Sequence, residues 1–258
     1  MQGAQVVSRM AAVLRVVSES MPNGMATTGV AKATGLTRPT THRLLASLAS
    51  EGFIDRDNRS GQWQLGPELY LMGSVAAERY DVTAAARPTV RALAAETGES
   101  AFFSARRGTE TVCLLREEGS FPVRSFVLSE GTRFPLGVAS AGLVILSFLS
   151  AAEAEAHMAN VDLETRFGPH YKPALLRERT AATRVSGYAL NPGLIVEGSW
   201  GMGAAVFDKD GQAAWALTIT GIESRFAPER QLSLGRLLLD HAHRLTQQLA
   251  AGAWPTSR

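Results

Sequence analysis

An α+β chain is predicted, with an N-terminal winged helix-turn-helix, a linker helix, and a C-terminal domain in which helices flank an antiparallel sheet. Three features predict it. Two short amphipathic segments, one from about Thr28 to Thr34 and one after Thr37, are separated by Gly35. Two alternating segments, Phe53–Asp57 and Gln62–Leu65, follow around Asn58-Arg59-Ser60-Gly61, the grammar of a hairpin. Beyond residue 82, glycine-punctuated strand-like runs come in groups between helical ones.

Taken in order, Ser8–Ser20 reads as a first helix whose apolar side is Met10, Val13, Leu14, Val16 and Val17, and Pro22-Asn23-Gly24 as a turn. Thr28 supplies a hydroxyl suited to an N-cap, and Gly35 ends that helix in the left-handed region that glycine enters without a Cβ clash. Thr37 is placed to cap the next helix, with Pro39 in its first turn, where a missing N–H costs little. Leu44, Leu45 and Leu48 form its apolar stripe; Arg38, Thr40, Thr41 and Arg43 take the other face, and Gly52 ends it. Such a second helix offers donors to a groove of nucleic acid. The hairpin after it is the wing, with Arg56 and Arg59 near its tip. Pro67–Tyr80, carrying Leu69, Leu71, Met72, Val75 and Ala76, is too apolar to stand alone in water and is expected to pair with the same helix of a second subunit. The domain boundaries expected are 1–66, 67–81 for the linker, and 82–258.

In the last of these, Ala84–Thr97 reads as helix, kinked or restarted at Pro88 and ended by Gly98. Strands are expected at Ser100–Arg106, Thr111–Arg116 and Val123–Leu128, then a loop over Gly131–Gly137 and a buried helix over Ala139–Leu149. Ser150 and Glu153 form a capping box before another helix; Pro173–Ser186 is helical up to Gly187; Tyr188–Asn191 is extended. Met202–Phe207 and Ala213–Thr220 are strands joined by the turn Asp208-Lys209-Asp210-Gly211, and Pro228–Ala250 closes the chain as a helix.

Seven basic side chains stand against four acidic ones in residues 1–66, and nineteen against twenty in the remainder, so the basic excess lies on the segment expected to meet phosphate. Cys113 is the single cysteine, in an apolar strand-like run, which excludes an intrachain disulfide and a cysteine-based zinc site. There is no apolar leader over Met1–Met10 and no apolar run long enough to span a bilayer. A reducing, cytoplasmic setting without membrane attachment is therefore expected. Enzyme signatures are absent: no nucleophile elbow, no HExxH, no phosphate-binding glycine loop, no metal-spaced cluster. His241 and His243, two apart on a helix, face different directions. No catalytic residue, metal or cofactor is expected.

The segments GLTRPTTHRLLASLASEGFI, QWQLGPELYLMG and GTRFPLGVASAGLVILSFL resemble the IclR family of bacterial transcription regulators, and the resemblance covers nearly the whole chain. From Gly187 to Gly221 the chain keeps that family's spacing. The resemblance implies a winged-helix domain joined by a helix to a GAF-like effector domain, and dimers often paired into tetramers. It also implies a pocket drawn from Gly137, Ala139, Ser140, Ala141, Gly142, Asn191, Gly201, Thr218 and Thr220, with Trp200 or Met202 adding apolar contact. Where the family usually has a histidine and a lysine stand Gly137 and Leu143; Asn191 stands where many members have an acid, Gly201 where many have a cysteine and Ala205 where many have a proline. Such a pocket is less polar than usual.

The function expected is a ligand-responsive repressor of a catabolic operon, a dimer or dimer of dimers on a near-palindromic double-stranded DNA operator, sensing a small organic or aromatic acid. Arg38, Thr40, Thr41 and Arg43, with Thr28, Arg56 and Arg59, are the expected DNA contacts; His42 either reaches phosphate or packs locally. Thr218 and Thr220 lie two apart on one strand, so both hydroxyls share a face with Ala216 while Leu217 and Ile219 take the other. Either backbone, each other or water satisfies them, or they meet the effector's polar head.

Overall fold

The computed structural model describes residues 2–80 and 82–251, with only the backbone described at 2–4 and 76–80. The last expected linker residue, Asp81, the side chain of Ala76, and residues 1 and 252–258 lie outside it. The chain divides into two compact units, Met1–Tyr80 and Asp81–Arg258.

In the first unit, α1 (Gln2–Glu19) begins well before Ser8, since no proline interrupts the helical pattern upstream. Then come α2 (Thr27–Thr34), α3 (Arg38–Ser50), the hairpin β1 (Ile54–Arg56) and β2 (Trp63–Leu65), and α4 (Pro67–Tyr80). Gly35 ends α2 at φ 68°, as a left-handed C-cap requires. Neither threonine cap forms as expected. Ala26 occupies the N-cap of α2, and Thr27 Oγ1 instead accepts a hydrogen bond from Trp63 Nε1 at 2.9 Å. Thr37 holds the N-cap position of α3, but its hydroxyl donates to Thr40 Oγ1 at 2.9 Å. Val13, Val17, Val30, Leu45, Leu48, Ile54 and Trp63 form the core. Full burial of a leucine such as Leu45 or Leu48 contributes about 1.5–3 kcal/mol. Met25 and Trp63 exchange backbone hydrogen bonds of 3.0 and 2.9 Å, which fastens the wing to the entry of α2.

The second unit contains α5 (Val82–Thr97), β3 (Ser100–Arg107), β4 (Glu110–Glu117), β5 (Arg133–Pro135), α6 (Ser140–Ser147), α7 (Ala151–Asn160), α8 (Leu163–Phe167), α9 (Pro173–Ser186), β6 (Tyr188–Pro192), β7 (Ser199–Phe207), β8 (Ala213–Ile222) and α10 (Pro228–Ala250). The sheet order is β5-β4-β3-β8-β7-β6, antiparallel throughout. Pro88 lies inside α5 without ending it. The strand expected at Val123–Leu128 does not form. The free edge of β4 is taken by β5, through Thr111 opposite Phe134, inside what reads as a loop. Residues 121–128 run irregularly instead, with Val123 59% and Phe126 71% exposed while Ser125 and Leu128 are buried.

Each sheet face has its own layer. Phe103, Leu115, Met202, Ala204, Leu217 and Ile219 pack against Val90 and Leu93 of α5 and Leu234, Leu238 and Leu245 of α10. The opposite face carries small residues, which let α6 approach closely. A Cβ on Gly203 would lie 2.9 Å from Thr218 Cγ2 and 3.2 Å from the Ser140 carbonyl. All eight residues of α6 are buried, its two serines included, and Ser147 donates its hydroxyl to the Leu143 carbonyl at 2.7 Å.

Candidate functional site

Two surfaces gather the expected contact residues, one in each unit. In the first, α3 carries Arg38, His42 and Arg43 and no carboxylate. All three are exposed, Thr40 is half-buried, and Thr28 is exposed on the first turn of α2. Thr41 does not belong with them. It is fully buried, and its hydroxyl donates to the Thr37 carbonyl at 3.1 Å. Thr41, Leu45 and Leu48 follow helical spacing onto the core side, so this threonine sits with the leucines and presents no group to a groove.

The wing separates its two arginines. Arg56 is held: its Nε donates to the Gly61 carbonyl at 3.2 Å, and its guanidinium lies 5.7 Å from the centre of the Trp63 ring. Arg59 is exposed at the tip. The loop is shaped by Asp57, which accepts from the Ser60 N–H (2.6 Å), the Ser60 hydroxyl (2.7 Å) and the Arg59 N–H (3.1 Å). These bonds, Ser60's first, hold the Asp57 carboxyl below the usual carboxylate range.

In the second unit the pleat brings together residues far apart in sequence. Across the ladders Asn191 is opposite Gly201, Gly201 opposite Thr220, Gly203 opposite Thr218, and Ala216 opposite Ser104, which is opposite Cys113. Directly opposed residues share a face, so this face is mostly small and polar, with Phe102 opposite Thr218 its large member, where the other is apolar. Against it, a narrow cavity opens between the sheet, the start of α6 and residues 127–134. Of the expected pocket residues, Ala139, Ser140, Ala141, Asn191, Trp200, Gly201, Thr218 and Thr220 line it.

Gly137, Gly142 and Met202 do not. A Cβ on Gly137 would meet Leu176 and Leu146 at 3.0–3.3 Å, so that glycine serves the packing of α9 on α6. A Cβ on Gly142 would meet the Pro135 carbonyl at 3.0 Å, so it serves a backbone crossing. Met202 is fully buried in the opposite layer, because its neighbours Gly201 and Gly203 take the cavity face. Sequence reading missed Ser104, Thr111, Cys113 and Thr132, together with Val127, Leu128, Phe134, Ile195 and Ser199. The alternation of Thr111 and Cys113 was visible, but their face depends on which strand pairs beside them.

No lining residue is an acid, a lysine, an arginine or a histidine. Burial pushes the Cys113 thiol up to about 12, so it stays protonated. Asn191 donates to the Val138 carbonyl at 2.7 Å and accepts from the Leu194 N–H at 3.2 Å. Thr218 and Thr220 are 1% and 9% exposed, and among the described residues neither hydroxyl has a hydrogen-bond partner. An orphaned buried hydroxyl costs roughly 1–3 kcal/mol. The N-cap of α6, Ala139, provides no side-chain cap, and the first N–H groups of a helix have no intrahelical partner. Two hydroxyls and a helix N-terminus therefore converge on one uncharged cavity, a combination suited to an oxyanion or carbonyl. Among the described residues no group of three or more His, Cys, Asp or Glu is placed to hold a metal.

Comparison with known proteins covers both units. Residues 6–58 match the IclR helix-turn-helix domain, and residues 74–247 match the bacterial transcriptional regulator IclR C-terminal family. The chain is 30% identical over 251 residues to the HTH-type transcriptional repressor AllR of Klebsiella pneumoniae, covering 96% of this chain and 91% of that protein. It is 29% identical over 217 residues to the HTH-type transcriptional regulator KipR of Bacillus subtilis, covering 84% and 86%. An IclR homolog from Microbacterium hydrocarbonoxydans, solved in complex with 4-hydroxybenzoate, superposes with a TM-score of 0.77 at 20% identity, covering 95% of this chain and 99% of that one.

Proposed function

This chain belongs to the IclR family of bacterial transcriptional regulators, and we propose that it is a cytoplasmic repressor released from its operator by a small aromatic or organic acid. It is a regulator with a DNA-binding helix-turn-helix and a C-terminal effector domain, and its relatives are regulators, not enzymes. Among the described residues no helix is long and apolar enough to cross a membrane. Residues 1–66 are the DNA-binding head, 67–81 the linker, and 82–258 the effector-binding and oligomerisation domain.

The exposed, carboxylate-free face of α3 supports the DNA reading. A dimer presents two such helices to successive major-groove faces of a near-palindromic site, with Arg38 and Arg43 at base edges or phosphates. Thr28, Thr40 and His42 flank them, Arg59 reaches the backbone, and Arg56 stiffens the wing from which it also contacts DNA. Affinity falls steeply with salt, because counterions are released from phosphate. Arg43→Ala weakens operator binding by roughly 1–3 kcal/mol if Arg43 reads a base pair. Gel shifts across a salt series check this; a folded variant that binds as the wild type does removes Arg43 from the contact set.

On α4, Tyr70, Leu71, Met72 and Val75 are exposed, from 53% to 77%. A face that apolar is covered by a second subunit in this reading. Leu71→Lys then lowers the molar mass seen by light scattering and weakens operator binding together. A wild type that is monomeric at micromolar concentration contradicts it.

The effector reading rests on one observation above the others: the orphaned hydroxyls of Thr218 and Thr220 on the wall of an uncharged cavity. Neutral donors, with the start of α6, hold the carboxylate, and Phe134 faces the ring, while the Trp200 side chain packs with Phe226 on the opposite sheet face. The complex of the Microbacterium homolog with 4-hydroxybenzoate supports this ligand class. Binding shifts the linker helices and so the spacing of the heads, and by linkage operator and effector change each other's affinity by the same factor. A thermal-shift series of aromatic and aliphatic carboxylic acids, followed by operator-release titration, tests it. A series in which no acid raises the melting temperature and none releases DNA rejects the ligand class.

A further inference from the structure

Arg179, on α9, has both terminal guanidinium nitrogens buried and without a hydrogen-bond partner among the described residues. Arg116 and Arg124 leave only Nε in that condition, and their outer nitrogens pair with Glu118. A cation held out of water without an acceptor is strongly unfavourable. Burial accordingly pulls Arg179 below the ordinary guanidinium range. The Tyr171 ring lies 5.5 Å from the guanidinium carbon. Stacking occupies the face of the guanidinium and leaves its edge, where the N–H donors lie, without an acceptor.

Arg179 lines a groove of about 490 Å³ that also presents His170, Thr183, Ser186, Tyr188 and Gln231. Glu178 is the only carboxylate on it among the described residues; it is exposed and forms no ion pair with Arg179. No residue lines both this groove and the effector pocket. The two adjoin along the chain at β6 and the residues after it, where Leu190, Pro192 and Leu194 line the groove and Asn191 and Ile195 line the pocket.

We propose that this groove is a second ligand site, taking a small oxyanion (carboxylate or phosphate) on the edge of the Arg179 guanidinium. The donors Arg179 lacks acceptors for are those that form paired, charge-assisted bonds to such a group. The edge lies beneath the groove surface, so binding draws the flexible side chain outward along the Tyr171 ring. This site does not depend on the effector pocket being correctly assigned.

The test is isothermal titration of the full chain with sodium phosphate and, separately, sodium acetate, at constant ionic strength in sodium chloride. The variants are Arg179→Met, Thr218→Val with Thr220→Val, and Arg43→Ala, the last to remove phosphate binding by the DNA-binding head. Saturable binding of at least one anion is expected in the wild type. The Arg179-dependent binding is weakened roughly tenfold or more in Arg179→Met, the loss of charge-assisted bonds, and persists in the other two variants, which remove only acetate held by the effector pocket and phosphate held by the DNA-binding head. The anion that binds distinguishes a carboxylate site from a phosphate site. Absence of saturable binding of both anions to the wild type overturns the proposal, as does equal affinity in Arg179→Met. If that variant does not fold, Arg179→Lys keeps the charge and loses the planar fork; several-fold weaker binding is expected, and unchanged affinity overturns it.

Discussion

Thr218→Val combined with Thr220→Val abolishes effector-dependent release from the operator while leaving the fold as stable as the wild type or more so. Valine keeps the shape of threonine and removes only the hydroxyl. Where a buried hydroxyl is hydrogen-bonded, its loss destabilises by about 1 kcal/mol. Here neither hydroxyl has a partner among the described residues. Their removal relieves a desolvation penalty and has no native bond to break. The signature is therefore a split: thermal unfolding without ligand is unchanged or shifted upward, and the ligand-induced upward shift disappears. Operator affinity without ligand is retained, because the substitutions lie in the unit that does not contain α3. Fluorescence anisotropy on labelled operator, titrated with the acid found by thermal shift, reads the response. A double variant that releases DNA at the wild-type ligand concentration places the effector elsewhere. One that unfolds several degrees earlier shows that the hydroxyls are bonded in solution.

The largest stability effect is expected at Glu99. Its side chain is 1% exposed and is gripped by two guanidinium groups. Arg225 bonds it twice, Nε to Oε1 at 2.8 Å and a terminal nitrogen to Oε2 at 2.7 Å, and Arg230 bonds Oε1 at 2.8 Å. Arg230 also donates to the Thr97 carbonyl at 2.8 Å, and both arginines lie over the Phe121 ring, at 4.4 and 5.5 Å. One carboxylate thus fastens the end of α5, the segment at Phe121, the exit of β8 and the start of α10. Glu99→Ala leaves two cations facing each other without their anion. Breaking a buried pair from one side costs about 3–5 kcal/mol, and the partial exposure of Arg225 (16%) and Arg230 (28%) holds the expectation near the lower end. For a unit of this size that corresponds to a melting temperature lower by roughly 6–12 °C. Calorimetry at neutral pH measures it, and a drop below about 2 °C would show the network to be dispensable.

The frame of the molecule was legible in the amino-acid order wherever the determining forces are local. Gly35 and Gly187 end helices because only a residue without a Cβ takes those positive φ values cheaply. Pro173–Ser186 and Pro228–Ala250 form over the expected residues, since a proline in the first turn and an uninterrupted periodic run need no distant partner. The shared face of Thr218 and Thr220 followed from the pleat alone. Tertiary structure decided what depends on a neighbour. Thr41 stands at helical spacing from Leu45 and Leu48, and what packs on that stripe decided that it runs one turn further and buries a threonine. The edge of β4 went to Arg133–Pro135 and not to Val123–Leu128 because strand pairing is non-local, and an apolar run such as the latter is free to cover a cavity instead. Ser104, Cys113 and Ser199 joined Thr218 at one cavity only when β3, β4, β7 and β8 were laid side by side. The isolation of Arg179 was likewise invisible in the chain order, because whether a charge finds a partner depends on everything folded around it, and no spacing of residues encodes an absent acceptor.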